Sequence, residues 1–144
     1  MDRSTAIVYE TVTDVPVAAV VALYEAGGWW VESPRARSVI PAMVRGSFRF
    51  MIAREPGGAI VGMARVLSDG VSDAYIQDVV VLHAWRGHGI GKELIVRLVE
   101  QCRDCGIEWI GLVAEPGTRP FYESIGFGAL VDYLPMRHGW KGGA

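Results

Sequence analysis

The feature that most constrains this chain is an apolar strand running into a glycine-rich turn and then a long amphipathic helix. Val79-Val80-Val81-Leu82 is a near-continuous apolar run, as expected of a centrally buried strand. Arg86-Gly87-His88-Gly89-Ile90-Gly91-Lys92 follows it. From Gly89 onward Ile90, Leu94, Ile95, Leu98 and Cys102 recur at helical spacing, while Lys92, Glu93, Arg97, Glu100 and Arg103 fall elsewhere. This pattern predicts a helix over residues 89–105, ended by Gly106. Residues 107–114 then read as another apolar strand. A strand, helix, strand unit of this kind is a crossover, so the sheet holds a parallel pair.

The preceding half supplies the rest of the sheet. Residues 6–12, rich in β-branched side chains, read as a first strand. Thr13-Asp14 is the expected cap of a helix that has Pro16 in its first turn and runs to about Ala26, with Gly27-Gly28 as the stop. Trp29 and Trp30 follow in a loop. Pro41 would break a helix that began at Pro34 but suits the first turn of one capped by Ser38, so a short helix over residues 39–45 is expected. Residues 48–54 and 59–67 form a hairpin around Glu55-Pro56-Gly57-Gly58, and residues 74–82 the next strand. Arg119 to Ile125 reads as a short helix and residues 129–137 as a last strand. The expected class is α/β in the α+β sense: a mixed, largely antiparallel sheet of six to seven strands with helices on both faces.

A length of 144 residues with 51% apolar and 21% charged side chains suits a single packed domain, residues 1–144. The 14 Lys and Arg are scattered among 16 Asp and Glu, giving a formal charge of −2, which argues against nucleic acid as a partner. No apolar run approaches the roughly 20 residues that span a bilayer, and Met1-Asp2-Arg3-Ser4 lacks a signal core, so no membrane partner and a cytoplasmic location are expected. Cys102 and Cys105 form a C-x-x-C, but at the C-terminal end of a helix, where the dipole disfavours thiolate. With no second pair, and with His83, His88 and His138 at no ligand spacing, no metal site is expected.

The chemistry lies in the glycine turn. Glycines there let backbone approach a ligand, and the first N–H groups of the helix carry partial positive charge, which together make a pyrophosphate site. A Walker loop fails, because Arg86 stands where its first Gly belongs and Glu93 follows Lys92. A dinucleotide fingerprint fails too, since the spacing is G-x-G-x-G. The alternative is a tight turn with a purely structural role.

Arg86-Gly87-His88-Gly89-Ile90-Gly91 resembles the [RQ]-x-x-G-x-[GA] signature of the GNAT superfamily of N-acetyltransferases. Asp78-Val79-Val80-Val81 before it, the helix after it and Phe121-Tyr122-Glu123-Ser124-Ile125-Gly126-Phe127 resemble family blocks in the family's order. Within that superfamily, Gly62-Met63-Ala64-Arg65 with Ser68-Asp69 and Ile76-Gln77-Asp78-Val79 are similar to the plant and cyanobacterial arylalkylamine N-acetyltransferases.

The resemblance implies acetyl transfer from acetyl-CoA to a primary amine of a small molecule, with no metal; it leaves the oligomeric state open, with a homodimer as one candidate assembly. It also implies a bulge that splays the fourth strand from the fifth, leaving backbone of Val79, Val80 and Val81 for the pantetheine arm. A backbone N–H here would also stabilise the oxyanion. Arg86, Gly87, His88, Gly89, Ile90, Gly91 and Lys92 would cradle the pyrophosphate. Asp78 is the candidate base for the attacking amine, against the alternatives of a carboxylate paired with a neighbouring element and of a water chain organised by Tyr75. Tyr122 is the candidate acid for the departing thiolate, against a role in packing its helix. Glu115 and Thr118 depart from the Asn and small apolar residue frequent in relatives, so Glu115 stays outside the cofactor set. Trp29 and Trp30 are the candidate acceptor wall, against a core cap and a dimer contact; tryptophan faces also attract ammonium groups. Two rival readings are an acyl-CoA sensor without catalysis and an acetyltransferase acting on peptide or protein amines.

Overall fold

The computed structural model describes residues 6–142, which divide into two compact units between Leu112 and Val113. The first unit holds β1 (Val8–Thr11), α1 (Val17–Ala26), α2 (Pro34–Ser38), α3 (Ile40–Gly46), β2 (Arg49–Arg54), β3 (Ile60–Ser68), β4 (Asp73–Val81), α4 (Ile90–Asp104) and β5 (Trp109–Gly111). The second holds α5 (Arg119–Glu123).

One five-stranded sheet runs in the order β1-β2-β3-β4-β5. The first four strands pair antiparallel, and β4 pairs parallel with β5 through the α4 crossover. Both faces are covered. Phe50, Ile52, Met63 and Val80 join Val20, Val21 and Leu23 of α1 and Ile40 and Val44 of α3 in one core cluster. On the opposite face α4 lays down Ile90, Leu94, Ile95, Leu98 and Cys102, each at most 1% exposed. Gly62 lets α4 approach: a Cβ there would stand 3.3 Å from both Ile90 and Leu94.

Several expectations are corrected. Among the described residues the sheet has five strands, not six to seven: residues 129–137 form no strand, and Leu130, Val131, Tyr133, Leu134 and Met136 are all exposed. Asp132 has φ 65°, which breaks the extended run that the β-branched and aromatic residues suggest. Residues 34–46 make two short helices, not one. The expected helix over residues 39–45 is α3, with Pro41 in its first turn, but Val39 and not Ser38 holds its N-cap position; α2 precedes it, capped by Ser33, whose Oγ accepts the Ala36 N–H at 3.0 Å. Thr13-Asp14 does not cap α1; Pro16 holds that position and its carbonyl accepts the Ala19 N–H.

Both cysteine thiols are free, Cys105 is exposed, and burial pushes the Cys102 thiol up from its ordinary pKa. Among the described residues no cluster of His, Cys, Asp or Glu could hold a metal, and no helix is long and apolar enough to cross a membrane.

Candidate functional site

Two halves of β4 behave differently. Up to Tyr75 the strand lies between β3 and β5, the last parallel pair being Tyr75↔Gly111. From Ile76 to Val81 it pairs with β3 alone. The ladder to β3 also slips: Ile76 faces Val66 but Val80 faces Met63, so four steps on β4 match three on β3. That is a bulge at Asp78-Val79, in the strand where the resemblance implies one, and it coincides with the splay from β5.

Asp78 makes the bulge. Its φ is 56°, left-handed backbone that costs an L-residue roughly 1–2 kcal/mol, though Asp tolerates it better than most. Its carboxylate is engaged at Oδ2, which accepts Nε–H of Arg65 at 2.6 Å and the hydroxyl of Tyr24 at 2.7 Å. Both partners of the ion pair are mostly buried, at 14% and 20% side-chain exposure. Arg65 reaches on to Gln77 Oε1. Burial, and then the Asp78 charge, push the Tyr24 phenol well above its ordinary range, so it stays a donor. The sequence offered a paired carboxylate at Asp78 as the alternative to a base and named neither partner. The available signal was the single cation of β3, Arg65, in an otherwise buried run.

Beyond β4, a 3-10 turn (His83–Trp85) leads into the glycine segment. Gly87 and Gly89 take φ 79° and 78°, conformations that a side chain would strain, and Gly89 is the N-cap of α4. No side chain caps this helix, so its first backbone N–H groups face outward from a fifteen-residue dipole. Ile90 sends its side chain into the core, leaving only its N–H for a ligand. Arg86 has a structural use that the sequence did not suggest. Its guanidinium donates to the carbonyls of Val81 at 2.9 Å and Ala26 at 3.0 Å, tying the end of β4 to the last turn of α1.

Trp29 and Trp30 are half-buried against the α1 cluster. Tyr24 stacks on Trp30 and meets Trp29 edge-on, each at 6.2 Å between centroids. Trp30 also donates to Glu32 and has the Arg37 guanidinium 5.8 Å from its ring, so a cation already occupies part of its π surface. In the second unit, Tyr122 of α5 lies edge-on to Phe121 and Phe127 at 5.0 and 5.8 Å. Burial first, and then the charge of Glu115, raise its phenol pKa.

Residues 21–138 match the family model described as an acetyltransferase (GNAT) domain. An uncharacterized N-acetyltransferase of Pyropia yezoensis is 34% identical over 68% of this chain and 57% of its own length. Serotonin N-acetyltransferase 2 of Oryza sativa, described as chloroplastic, is 40% identical over 57% of this chain and 41% of its own. The chain thus spans about half the length of these two relatives. A crystal structure of an acetyltransferase from Deinococcus radiodurans superposes with a TM-score of 0.76 at 26% identity, covering 94% of this chain and 90% of that one.

Proposed function

This chain belongs to the GNAT acetyltransferase family, and from that premise we propose that it transfers an acetyl group from acetyl-CoA to a primary amine of a small molecule, by direct attack within a ternary complex. The observation that carries the reading is the half-paired, bulged end of β4 beside the uncapped N-terminus of α4. Backbone of Val79, Val80 and Val81 would bond the pantetheine arm. The N–H groups of Gly89, Ile90, Gly91 and Lys92, with Gly87 and His88 in the turn, would hold the pyrophosphate. Arg86 shapes this cradle through its carbonyl bonds more than by reaching the anion itself.

In the reaction the amine nitrogen forms a bond to the thioester carbon and the carbon–sulfur bond breaks. An alkylammonium, with a pKa near 10.4, must first lose a proton. Asp78 is the proposed acceptor of that proton, directly or through water, by way of the carboxylate oxygen that Arg65 and Tyr24 leave unengaged. Tyr122 would return a proton to the thiolate; its raised pKa keeps the phenol protonated, and the role itself comes from the likeness of its sequence block. A thiol pKa near 8.5 makes that leaving group tolerable, so the acid contributes modestly.

For the acceptor we propose an amine bearing an aromatic or apolar group. Support comes from Trp29 and Trp30 after α1 and from the rice relative named for serotonin. The stacking of Tyr24 and the nearness of Arg37 leave these rings to act through apolar contact more than through cation binding. A cytoplasmic location stands beside a plastid one, since that relative is described as chloroplastic; a fluorescent fusion separates the two. The test of the function is release of free thiol from acetyl-CoA with arylethylamines, amino sugars, short polar amines and lysine peptides. Aromatic amines should give the highest kcat/KM. Preference for lysine peptides would make the acceptor a protein amine, and acetyl-CoA binding without thiol release would make the chain a sensor.

A further inference from the structure

Why β4 is bulged at one place only is not explained by its apolar packing. Val79, Val80 and Val81 are identical side chains, so sliding the end of the strand by one residue would exchange one valine for another against Met63. An unbulged strand would put Val79 opposite Met63 and Asp78 opposite Ala64. By strand alternation Ala64 shares the face of Gly62, the face packed by Ile90 and Leu94 of α4. A carboxylate there would be buried among apolar groups. In the bulged strand it turns instead to the α1 face, where Tyr24 and Arg65 each give it a hydrogen bond. The register of the cofactor-facing half therefore hangs on one polar contact set, and a one-residue slip would turn each of its side chains to the other face.

We propose that Tyr24 and Arg65 are positioning residues of the acyl-transfer site, pinning Asp78 in its left-handed conformation and thereby fixing which backbone groups of Val79, Val80 and Val81 face the coenzyme. The inference rests on the acetyl-CoA reading above. It adds that α1, through Tyr24, and β3, through Arg65, set the register of a strand end that no fifth strand supports. The same Tyr24 carries the stack with Trp30, so the loop after α1 and the coenzyme strand share one anchor. Neither residue need touch substrate to act this way.

The experiment compares Arg65→Met, Tyr24→Phe, Arg65→Lys and the double variant Arg65→Met with Asp78→Gly. Glycine takes the left-handed conformation without a partner, so it can keep the bulge once the pin is gone. Amide NMR spectra of the free proteins should show Val79, Val80 and Val81 shifted or broadened in Arg65→Met and, less so, in Tyr24→Phe, with Ala74 and Tyr75 unmoved. The acetyl-CoA dissociation constant, by calorimetry, should rise about tenfold in Arg65→Met, in keeping with loss of a charge-assisted hydrogen bond. Arg65→Lys should recover part of that loss, and Asp78→Gly in the Arg65→Met background should recover most of it. If the valine amides stay in place, or if glycine restores no affinity while both variants remain folded, the pin is wrong. Should Arg65→Met not fold, Tyr24→Phe gives the same two readings. Native protein that fails to bind acetyl-CoA would refute the functional reading instead, and the spectra of the free proteins would still judge the pin.

Discussion

The two halves of β4 are made of similar residues and do different work. Asp73 to Tyr75 lies between two strands, alternates between exposed and buried side chains, and has no irregularity. Asp78 to Val81 has a strand on one side only, carries a left-handed residue and meets Tyr24 and Arg65 through the Asp78 carboxylate. The first half is held by packing, so its substitution should cost stability. In the second half backbone is left over for a ligand, so changes around it should cost binding and turnover. Under the proposed function, a single strand passes from scaffold to site at the residue where β5 stops.

This contrast can be broken in several ways. The largest effect is expected from Gly89→Glu, which puts a side chain at φ 78° and a negative charge at the N-terminus of α4. Acetyl-CoA binding should be lost while circular dichroism shows a folded protein; unchanged affinity in calorimetry would remove the cradle from this turn. In the scaffold half, Ala74→Gly deletes a side chain that is 0% exposed and should cost about 1–2 kcal/mol in urea unfolding, with acetyl-CoA affinity of the folded protein little changed. A loss below about 0.5 kcal/mol would mean that this half is not held by packing.

Turnover separates the next pair of roles. Tyr122→Phe keeps the ring contacts with Phe121 and Phe127 but removes the proton, so kcat should fall about tenfold with the acetyl-CoA dissociation constant unchanged. Equal turnover would make Tyr122 a packing residue.

The smallest effect lies in the turn that starts the scaffold half. The backbone N–H and hydroxyl of Ser72 and the N–H of Val71 hold the Asp69 carboxyl down at about 2, below its ordinary 3.8. A depressed folded pKa gives a contribution that is present above the unfolded pKa and lost as pH falls through about 2. A carboxyl NMR titration of Asp69 should therefore have its midpoint near 2; a midpoint near 3.8 would show that the turn is not held.

How much of this was legible in the sequence follows the kind of force involved. The β2–β3 hairpin, the α4 crossover and the glycine turn were legible, because apolar periodicity and glycine placement act locally. The bulge was available only through family likeness, since a left-handed Asp leaves no trace in a hydropathy pattern. Its anchors were out of reach for another reason: Tyr24 and Arg65 lie 54 and 13 residues from Asp78 along the chain. Residues 129–137 misled, since β-branched and aromatic residues suggest a strand wherever they occur, but a strand needs a partner and Asp132 turns the chain. Arg86 was legible in part. Its place in the motif suggested an anion contact, and only the fold brings the carbonyls of Val81 and Ala26 within its reach.

The most direct test is an amide NMR titration of the native protein with acetyl-CoA, reading the two halves of β4 in one spectrum. The amides of Val79, Val81, Gly89, Ile90, Gly91 and Lys92 should shift in a saturable way, while those of Asp73, Ala74 and Tyr75 stay in place. Shifts confined to the paired half, or no saturable shift at the start of α4, would contradict the assignment of the coenzyme site to the unpaired end of this strand.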